Sequence, residues 1–260
     1  MWTTFITVAG IAFIFFMTTL GAAVVFFFKG EISQRLHAFF LGIASGVMIA
    51  ASVWSLLLPA LEQAEHNWRT FQFFPVGVGV LFGGAFLISL DKFTQKWKTT
   101  CFGESGGGKK IVRLFSAVTL HNIPEGLAVG FAFGAASMLG TTAAYFGALG
   151  LAIGIGIQNF PEGAALSLPM KSVIKSNKRA FLWGMTSGIA EPIFAALGYF
   201  LAAHLQKWQP WFLSFAAGAM LFVAAEDLIP DAKSEASPYL GALGVLLGFV
   251  VMMTLDVVLG

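Results

Sequence analysis

The sequence predicts an all-α protein that crosses a membrane several times, and three observations support this prediction. Of its 260 residues, 57% are hydrophobic and only 11% are charged, whereas a soluble domain carries about 25% charged residues. The mean hydropathy is +0.82, and long apolar runs recur along the whole chain. Because there is too little polar side chain to cover a surface in water, a lipid bilayer must solvate most of the molecule. A soluble binding module is therefore excluded.

Eight apolar segments are long enough to cross a bilayer as helices, which takes about 20 residues each. They leave no room for a soluble domain, so we expect residues 1–260 to form a single transmembrane domain. The polar, glycine-rich stretch 91–111, between the third and fourth spans, predicts a flexible loop. The predicted spans are 3–28, 36–60, 73–90, 112–138, 142–170, 180–203, 210–230 and 238–258.

The first span differs from a cleavable signal peptide, because no Lys or Arg precedes its apolar run. Its first charge, Lys29, follows the run and indicates a cytoplasmic end at that point. The loops after spans 1, 3, 5 and 7 hold all but two of the 15 Lys and Arg residues, the exceptions being Arg69 and Lys207. Because cytoplasmic loops are rich in Lys and Arg, both termini are predicted to lie outside the cytoplasm.

Two near-identical hexapeptides lie inside predicted spans 4 and 5. Residues 121–126 read HNIPEG and residues 158–163 read QNFPEG. On a helix, positions i and i+4 share a face, so His121 aligns with Glu125, and Gln158 aligns with Glu162. Polar and ionisable groups are costly inside a membrane unless they pair or bind something. The repeated pattern therefore predicts a polar cation site within the bilayer.

The prolines and glycines of these hexapeptides favour the same interpretation. Pro124 and Pro161 each remove a helical hydrogen bond and release a backbone carbonyl, so we expect both helices to be kinked there. Irregular backbone inside a membrane is tolerated only where it faces protein or a wet cavity. Gly126 and Gly163 lack side-chain bulk and allow neighbouring helices to approach closely.

A third predicted span adds another carboxylate beside a proline, Glu191 followed by Pro192. Together with His121, the three Glu residues make a mixed imidazole and carboxylate set. Such a set suits Zn²⁺, with Fe²⁺, Mn²⁺, Co²⁺, Ni²⁺, Cu²⁺ and Cd²⁺ as competitors, whereas an all-oxygen set would favour Ca²⁺ or Mg²⁺. Glu226, Asp227 and Asp231, at the end of span 7, are candidates for a release path or for an interfacial acidic cap.

At these residues the chain resembles the ZIP (Zrt/Irt-like) family of divalent metal transporters. The two hexapeptides, Glu191-Pro192 in span 6, the eight-span layout and the outward termini all match. The stretch 46–52 in span 2, and residues 158–169 with the second hexapeptide, resemble the GufA-like branch of the family. The resemblance covers essentially the whole chain.

The resemblance implies a two-bundle fold, with kinked fourth and fifth helices and a binuclear metal site at mid-membrane. His121, Glu125, Gln158 and Glu162 would form the first metal site; Asn122, Asn159, Glu162 and Glu191 would form the second. It also implies metal influx by alternating access, with spans 1, 4, 5 and 6 moving against spans 2, 3, 7 and 8. The latter set would support a homodimer. Many family members carry His or Asp where this chain has Gln158 and Asn159, and neutral amides are weaker ligands.

Two rival functions give different expectations. An intramembrane zinc protease needs His-Glu-x-x-His on a helix, which this chain lacks, and its single cysteine, Cys101, is placed in a loop. We therefore expect no enzyme, no catalytic cofactor and no nucleic-acid partner; metal ions and the lipid bilayer are the expected partners. A metal-binding sensor or structural membrane protein without flux remains the alternative. The predicted location is the plasma (inner) membrane.

Overall fold

The computed structural model describes residues 2–27, 33–102, 107–233 and 238–259, and these residues are almost entirely helical, with no strand. They confirm an all-α, polytopic membrane protein. The charge expected to flank span 1, Lys29, lies outside the described residues. The helices are α1 (Trp2–Ala23), α2 (Gln34–Ala51), α3 (Leu58–Trp68), α4 (Phe73–Phe102), α5 (Gly107–Leu139), α6 (Thr142–Ile174), α7 (Asn177–Ser187), α8 (Ala190–His204), α9 (Gln209–Val223), α10 (Ile229–Asp231) and α11 (Leu240–Leu259).

Seven helical segments within the described ranges are long and apolar enough to cross a membrane, so the count of eight spans is not confirmed. Each of the seven overlaps one of the predicted spans. The eighth prediction, 112–138, corresponds to α5, which is long enough but not among the seven. Because α5 carries His121, Asn122 and Glu125 near its middle, its mean hydropathy is lower than that of its neighbours.

The stretch predicted as a flexible loop, 91–111, is instead largely helical. Helix α4 continues to Phe102 and α5 begins at Gly107, so only residues 103–106 fall outside the described structure. Residues 91–100 contain neither glycine nor proline, and helix propensity therefore does not end the helix where its apolar stretch ends. The prediction of a loop was wrong because it relied on the polar composition of this stretch and not on its helix propensity.

Span 6 is divided into α7 and α8, a break that the sequence analysis did not predict. Helix α7 ends at Ser187 and α8 begins at Ala190. The backbone tightens there, with the amide of Glu191 donating to the carbonyl of Gly188 at 3.0 Å. Pro192 explains the break, because it cannot donate to the Gly188 carbonyl as a continuous helix would require. The break lies directly before Glu191.

Spans 2 and 7 each contain a wider helical turn ahead of a proline. Residues Ser52–Leu57 connect α2 to α3 as a π-helix, and Ala224–Leu228 connect α9 to α10 in the same way. Short π segments inside α-helices are frequent at functional sites. Here the second of them carries Glu226 and Asp227, two of the acidic residues predicted at the end of span 7.

The helices pack as two groups that match the predicted division of the spans. Helices α1, α5, α6 and α8 pack mainly on one another, with α1 against α6 and α5 against α8. Helices α2, α4, α9 and α11 form the second group, with α2 against α11 and α4 against α9. The groups meet chiefly where α2 and α11 contact α6 and where α9 contacts α5. Both groups contribute to one buried apolar core.

Glycines allow the closest of these contacts. A Cβ at Gly46 of α2 would lie 2.0 Å from the carbonyl oxygen of Val245 in α11, and one at Gly248 would lie 2.1 Å from the carbonyl oxygen of Ile43. No side chain fits at such distances. Small residues of this kind let membrane helices associate through van der Waals contact.

The substitution Gly46→Ala should therefore destabilise the protein, because the added methyl group collides with backbone rather than with a movable side chain. Overpacking of this kind costs about 1–3 kcal/mol, which corresponds to a decrease of roughly 5 °C in the melting temperature. The matched control is Gly77→Ala in α4, where an added Cβ meets nothing within 4 Å. Thermal unfolding of both variants in detergent tests the prediction, and equal melting temperatures would contradict it.

Candidate metal centre

The two hexapeptides lie at the middle of α5 and α6, which are 33 residues long each. Both helices run through their prolines, Pro124 and Pro161, without interruption. The motif glycines bring in one further helix each. A Cβ at Gly126 would lie 2.4 Å from the carbonyl oxygen of Glu191 in α8, and one at Gly163 would lie 2.2 Å from that of Thr18 in α1. All four helices of the first group therefore meet at the motifs.

The predicted site residues are buried, with one exception. Glu125, Gln158 and Glu191 are fully buried, and Glu162, the most exposed of the buried set, reaches only 4%. Asn122 and Asn159 are each 1% exposed. The exception is His121, whose side chain is 13% exposed. Burial of this many polar groups inside a membrane protein is costly unless something compensates it.

A side-chain hydrogen bond joins the two hexapeptides directly. The Gln158 side-chain amide donates to Oε1 of Glu125 at 2.7 Å, so one polar residue of each hexapeptide contacts the other. The charge of Glu125 also lies within electrostatic range of Glu162 and Glu191. The structure thus brings the three predicted carboxylates into one neighbourhood.

Most of the polar atoms in this neighbourhood lack a hydrogen-bond partner among the described residues. Glu162 has no partner at either carboxylate oxygen, and Asn159 has none at either side-chain amide atom. Leaving one such buried group unsatisfied costs about 1–3 kcal/mol, so a concentration of them calls for a ligand. The unpartnered atoms are Glu125 Oε2, Gln158 Oε1, Asn159 Oδ1 and Nδ2, Glu162 Oε1 and Oε2, and Glu191 Oε2.

His121 points to a different partner from the one its spacing predicts. Its Nε2 lies 3.1 Å from Oδ2 of Asp227, in the π segment of span 7, so this contact joins the two helix groups. Within the described ranges no three His, Cys, Asp or Glu side chains are arranged to hold a metal together. The carboxylates and amides of the hexapeptides are gathered, and the imidazole of His121 lies near them but is paired with Asp227. The sequence indicated Asp227 as a candidate for a release path or an acidic cap, but it did not predict the contact with His121.

Two further contacts tie the site to the helix break and to α1. The side-chain amide of Asn122 donates to the carbonyl of Ser187 at 3.0 Å, at the end of α7. The hydroxyl of Thr18 donates to Oε1 of Glu191. Thr18 could not be recognised as a site residue from the sequence, because a lone threonine in an apolar run gives no signal of its own.

This arrangement is chemically suited to a cation. It offers several carboxylate oxygens, neutral amide oxygens and a nearby imidazole, all ligand types that a borderline divalent metal accepts. A single bound cation would satisfy several unpartnered oxygens at once and would reduce the repulsion between the carboxylates.

The comparisons with known proteins agree with this chemistry. The family model described as ZIP zinc transporter matches residues 111–256, more than half of the chain. The chain belongs to the ZIP family. It is 35% identical to the zinc transporter ZIP11 of Homo sapiens over 96% of each chain. It is 32% identical to the zinc transporter GufA of Myxococcus xanthus over 94% of each chain.

A third relative in the ZIP family is the zinc transporter ZIPB of Bordetella bronchiseptica. The identity is 33%, over 95% of this chain and 79% of the relative. The resemblance drawn from the hexapeptides is thereby confirmed, including the presence of a GufA relative. None of these comparisons assigns a role to an individual residue of this chain.

Replacing Glu162 by glutamine should separate stability from metal binding. The amide is nearly isosteric but neutral, so without metal the variant should unfold at the wild-type temperature or above, because one fewer buried carboxylate needs compensation. Zinc at about 100 times its dissociation constant should stabilise the wild type by about 2.7 kcal/mol and should not stabilise Glu162→Gln. Melting curves with and without zinc measure both effects. Equal stabilisation by zinc in the two proteins would contradict the prediction.

Proposed function

We propose that this protein transports divalent transition-metal ions, zinc foremost, across its membrane and into the cytoplasm. The observation that supports this most is the cluster of buried oxygen atoms without a hydrogen-bond partner in the described part of the chain, on Glu125, Gln158, Asn159, Glu162 and Glu191. Relatives over nearly the whole chain are named as zinc transporters. The metal is the transported substrate and not a catalytic cofactor, and no enzymatic activity is expected.

The proposed site holds two metal ions. His121, Glu125, Gln158 and Glu162 bind the first, while Asn122, Asn159, Glu162 and Glu191 bind the second, with Glu125 and Glu162 able to bridge them. The hydrogen bond between Gln158 and Glu125 supports a shared first site. Oδ1 of Asn159 and Oε2 of Glu191, which are buried without a hydrogen-bond partner among the described residues, support a second.

Metal selectivity in this site is expected to be broad. Gln158 and Asn159 contribute neutral amide oxygens, which bind metals more weakly than carboxylates or imidazoles do. Cd²⁺, Fe²⁺, Mn²⁺, Co²⁺, Ni²⁺ and Cu²⁺ accept the same mixture of nitrogen and oxygen ligands, so we propose them as further substrates.

The contact between His121 and Asp227 suggests how loading could be linked to movement. It joins α5 in the first helix group to span 7 in the second. For His121 to bind a metal through Nε2, it must leave Asp227, and this connection between the groups is then lost. Metal binding would in this way free the first group to move against the second, as alternating access requires.

The proposed orientation rests on the loop charges. Thirteen of the 15 Lys and Arg residues fall in the loops after spans 1, 3, 5 and 7, which places those loops in the cytoplasm and both termini outside it if eight spans are present. Location in the plasma membrane stays a prediction from the sequence. A homodimer stays a prediction from the resemblance to the ZIP family.

Uptake by proteoliposomes tests the function. The wild type should take up zinc and cadmium in a saturable manner, and the double variant Glu125→Ala, Glu162→Ala should lose at least 90% of this uptake, because it removes both bridging carboxylates. The control is Glu65→Ala, which replaces an exposed carboxylate of α3 and should leave uptake unchanged.

Two results would contradict the proposal. Metal binding by the wild type without uptake would indicate the rival function, a sensor or structural protein that binds metal without flux. Equal uptake by the wild type and the folded double variant would mean that the hexapeptide carboxylates do not carry the metal.

A further inference from the structure

Thr18 of α1 uses its hydroxyl differently from two other buried hydroxyl residues of the helices, Ser45 and Ser52. Ser45 and Ser52 each donate to a carbonyl of their own helix, four residues earlier, at 2.7 Å. The corresponding acceptor for Thr18, the carbonyl of Ile14, lies at 3.3 Å, whereas Oε1 of Glu191 is much nearer. A hydroxyl has one proton to donate, and Oε1 of Glu191 is the nearer of the two acceptors. Thr18 thus binds the side chain of another helix.

Close helix contacts on two sides fix the position of this hydroxyl. The carbonyl oxygen of Thr18 faces Gly163, where an added Cβ would lie 2.2 Å away. Its methyl group faces Gly188, where an added Cβ would lie 3.0 Å away. Gly163 is the last residue of the second hexapeptide, and Gly188 lies in the break before α8. Thr18 is therefore held between the hexapeptide and the helix break. Thr18 is itself 1% exposed.

The hydrogen bond gives the two oxygens of the Glu191 carboxylate different surroundings. Oε1 accepts from Thr18, whereas Oε2 is buried without a hydrogen-bond partner in the part of the chain that the structure describes. The carboxylate therefore cannot rotate freely, and one defined oxygen remains for a ligand. Hydrogen-bond partners of this kind orient metal ligands, and their loss typically lowers metal affinity by about 10- to 100-fold.

We propose that Thr18 is a positioning residue that holds Glu191 for the second of the two metal ions. The proposal rests on the proposed function, because it concerns the site to which Glu191 contributes. Thr18 contacts no metal itself. Its hydroxyl sets which oxygen of Glu191 is presented and so determines how tightly the second ion is held. The first ion, bound by residues other than Glu191, should be affected far less.

Calorimetric titration of the purified protein with zinc tests this proposal. Thr18→Val keeps the volume of the side chain and removes its proton donor, so it should weaken one of two binding steps about 10-fold or more. Thr18→Ser keeps the donor and should restore wild-type affinity. The matched control is Thr19→Val, because the Thr19 hydroxyl has no hydrogen-bond partner within the described ranges; its affinities should be unchanged.

A double-variant comparison shows whether Thr18 acts through Glu191. In a Glu191→Gln background, adding Thr18→Val should lower zinc affinity no further. Thr18→Ala serves in place of Thr18→Val if the valine protein does not fold. The expected result is a loss of zinc affinity that requires both removal of the Thr18 hydroxyl and the presence of the Glu191 carboxylate.

Several results would overturn the inference. Unchanged binding in folded Thr18→Val or Thr18→Ala would do so, as would equal losses in Thr18→Ser and Thr18→Val, or additive losses in the Glu191→Gln background. A wild type that binds a single ion, insensitive to Glu191→Gln, would also overturn it. In each of these cases the wild type still binds metal, whereas a folded wild type that binds none would overturn the proposed function as well.

Discussion

The structure depends on one constraint, which is that several carboxylate and amide oxygens are buried together without hydrogen-bond partners within the ranges that the structure describes. Glu162 is the clearest case, because neither of its carboxylate oxygens has a partner among the described residues although only 4% of the residue is exposed. Such groups are costly in a low-dielectric interior. A fold that keeps them there must obtain a compensating gain from something that binds, and a divalent cation is the ligand that fits these oxygens best.

The close packing of glycines is what makes the cluster possible. Gly126 lets α5 approach the backbone of Glu191, and Gly163 lets α6 approach the backbone of Thr18. Four helices thereby converge at one depth in the molecule, and each contributes a polar side chain there. The same pattern of small residues holds α2 against α11 in the second helix group. Close helix contact thus both stabilises the protein and defines the proposed site.

Much of this organisation could be predicted from the sequence. The i and i+4 spacing places the polar residues of each hexapeptide on one helix face, because helix geometry alone determines which residues share a face. The contact between Glu125 and Gln158 of the two helices is seen only in the structure. The grouping of the helices also agrees with the resemblance to the family. Hydropathy correctly indicated a polytopic helical protein. Helix α5 is not among the candidate spans, because the polar residues of its hexapeptide lower its mean hydropathy.

Contacts that depend on the tertiary structure could not be predicted. The pairing of His121 with Asp227 joins residues 106 positions apart, and that of Thr18 with Glu191 joins residues 173 positions apart. No local pattern encodes either distance. The break between α7 and α8 could have been predicted, since Pro192 and Gly188 are visible in the sequence. It was not predicted, because both residues lie inside an apolar run long enough to span a membrane. The extended helix over 91–102 shows the opposite error, in which polar composition was taken for a loop.

The most direct test of the central claim is to locate the bound metal by anomalous X-ray diffraction from crystals grown with zinc. We expect an anomalous peak about 2.0–2.2 Å from a carboxylate oxygen of Glu162, between α5 and α6. Zinc found only at surface residues, with the carboxylates of Glu125 and Glu162 still without a ligand, would contradict it.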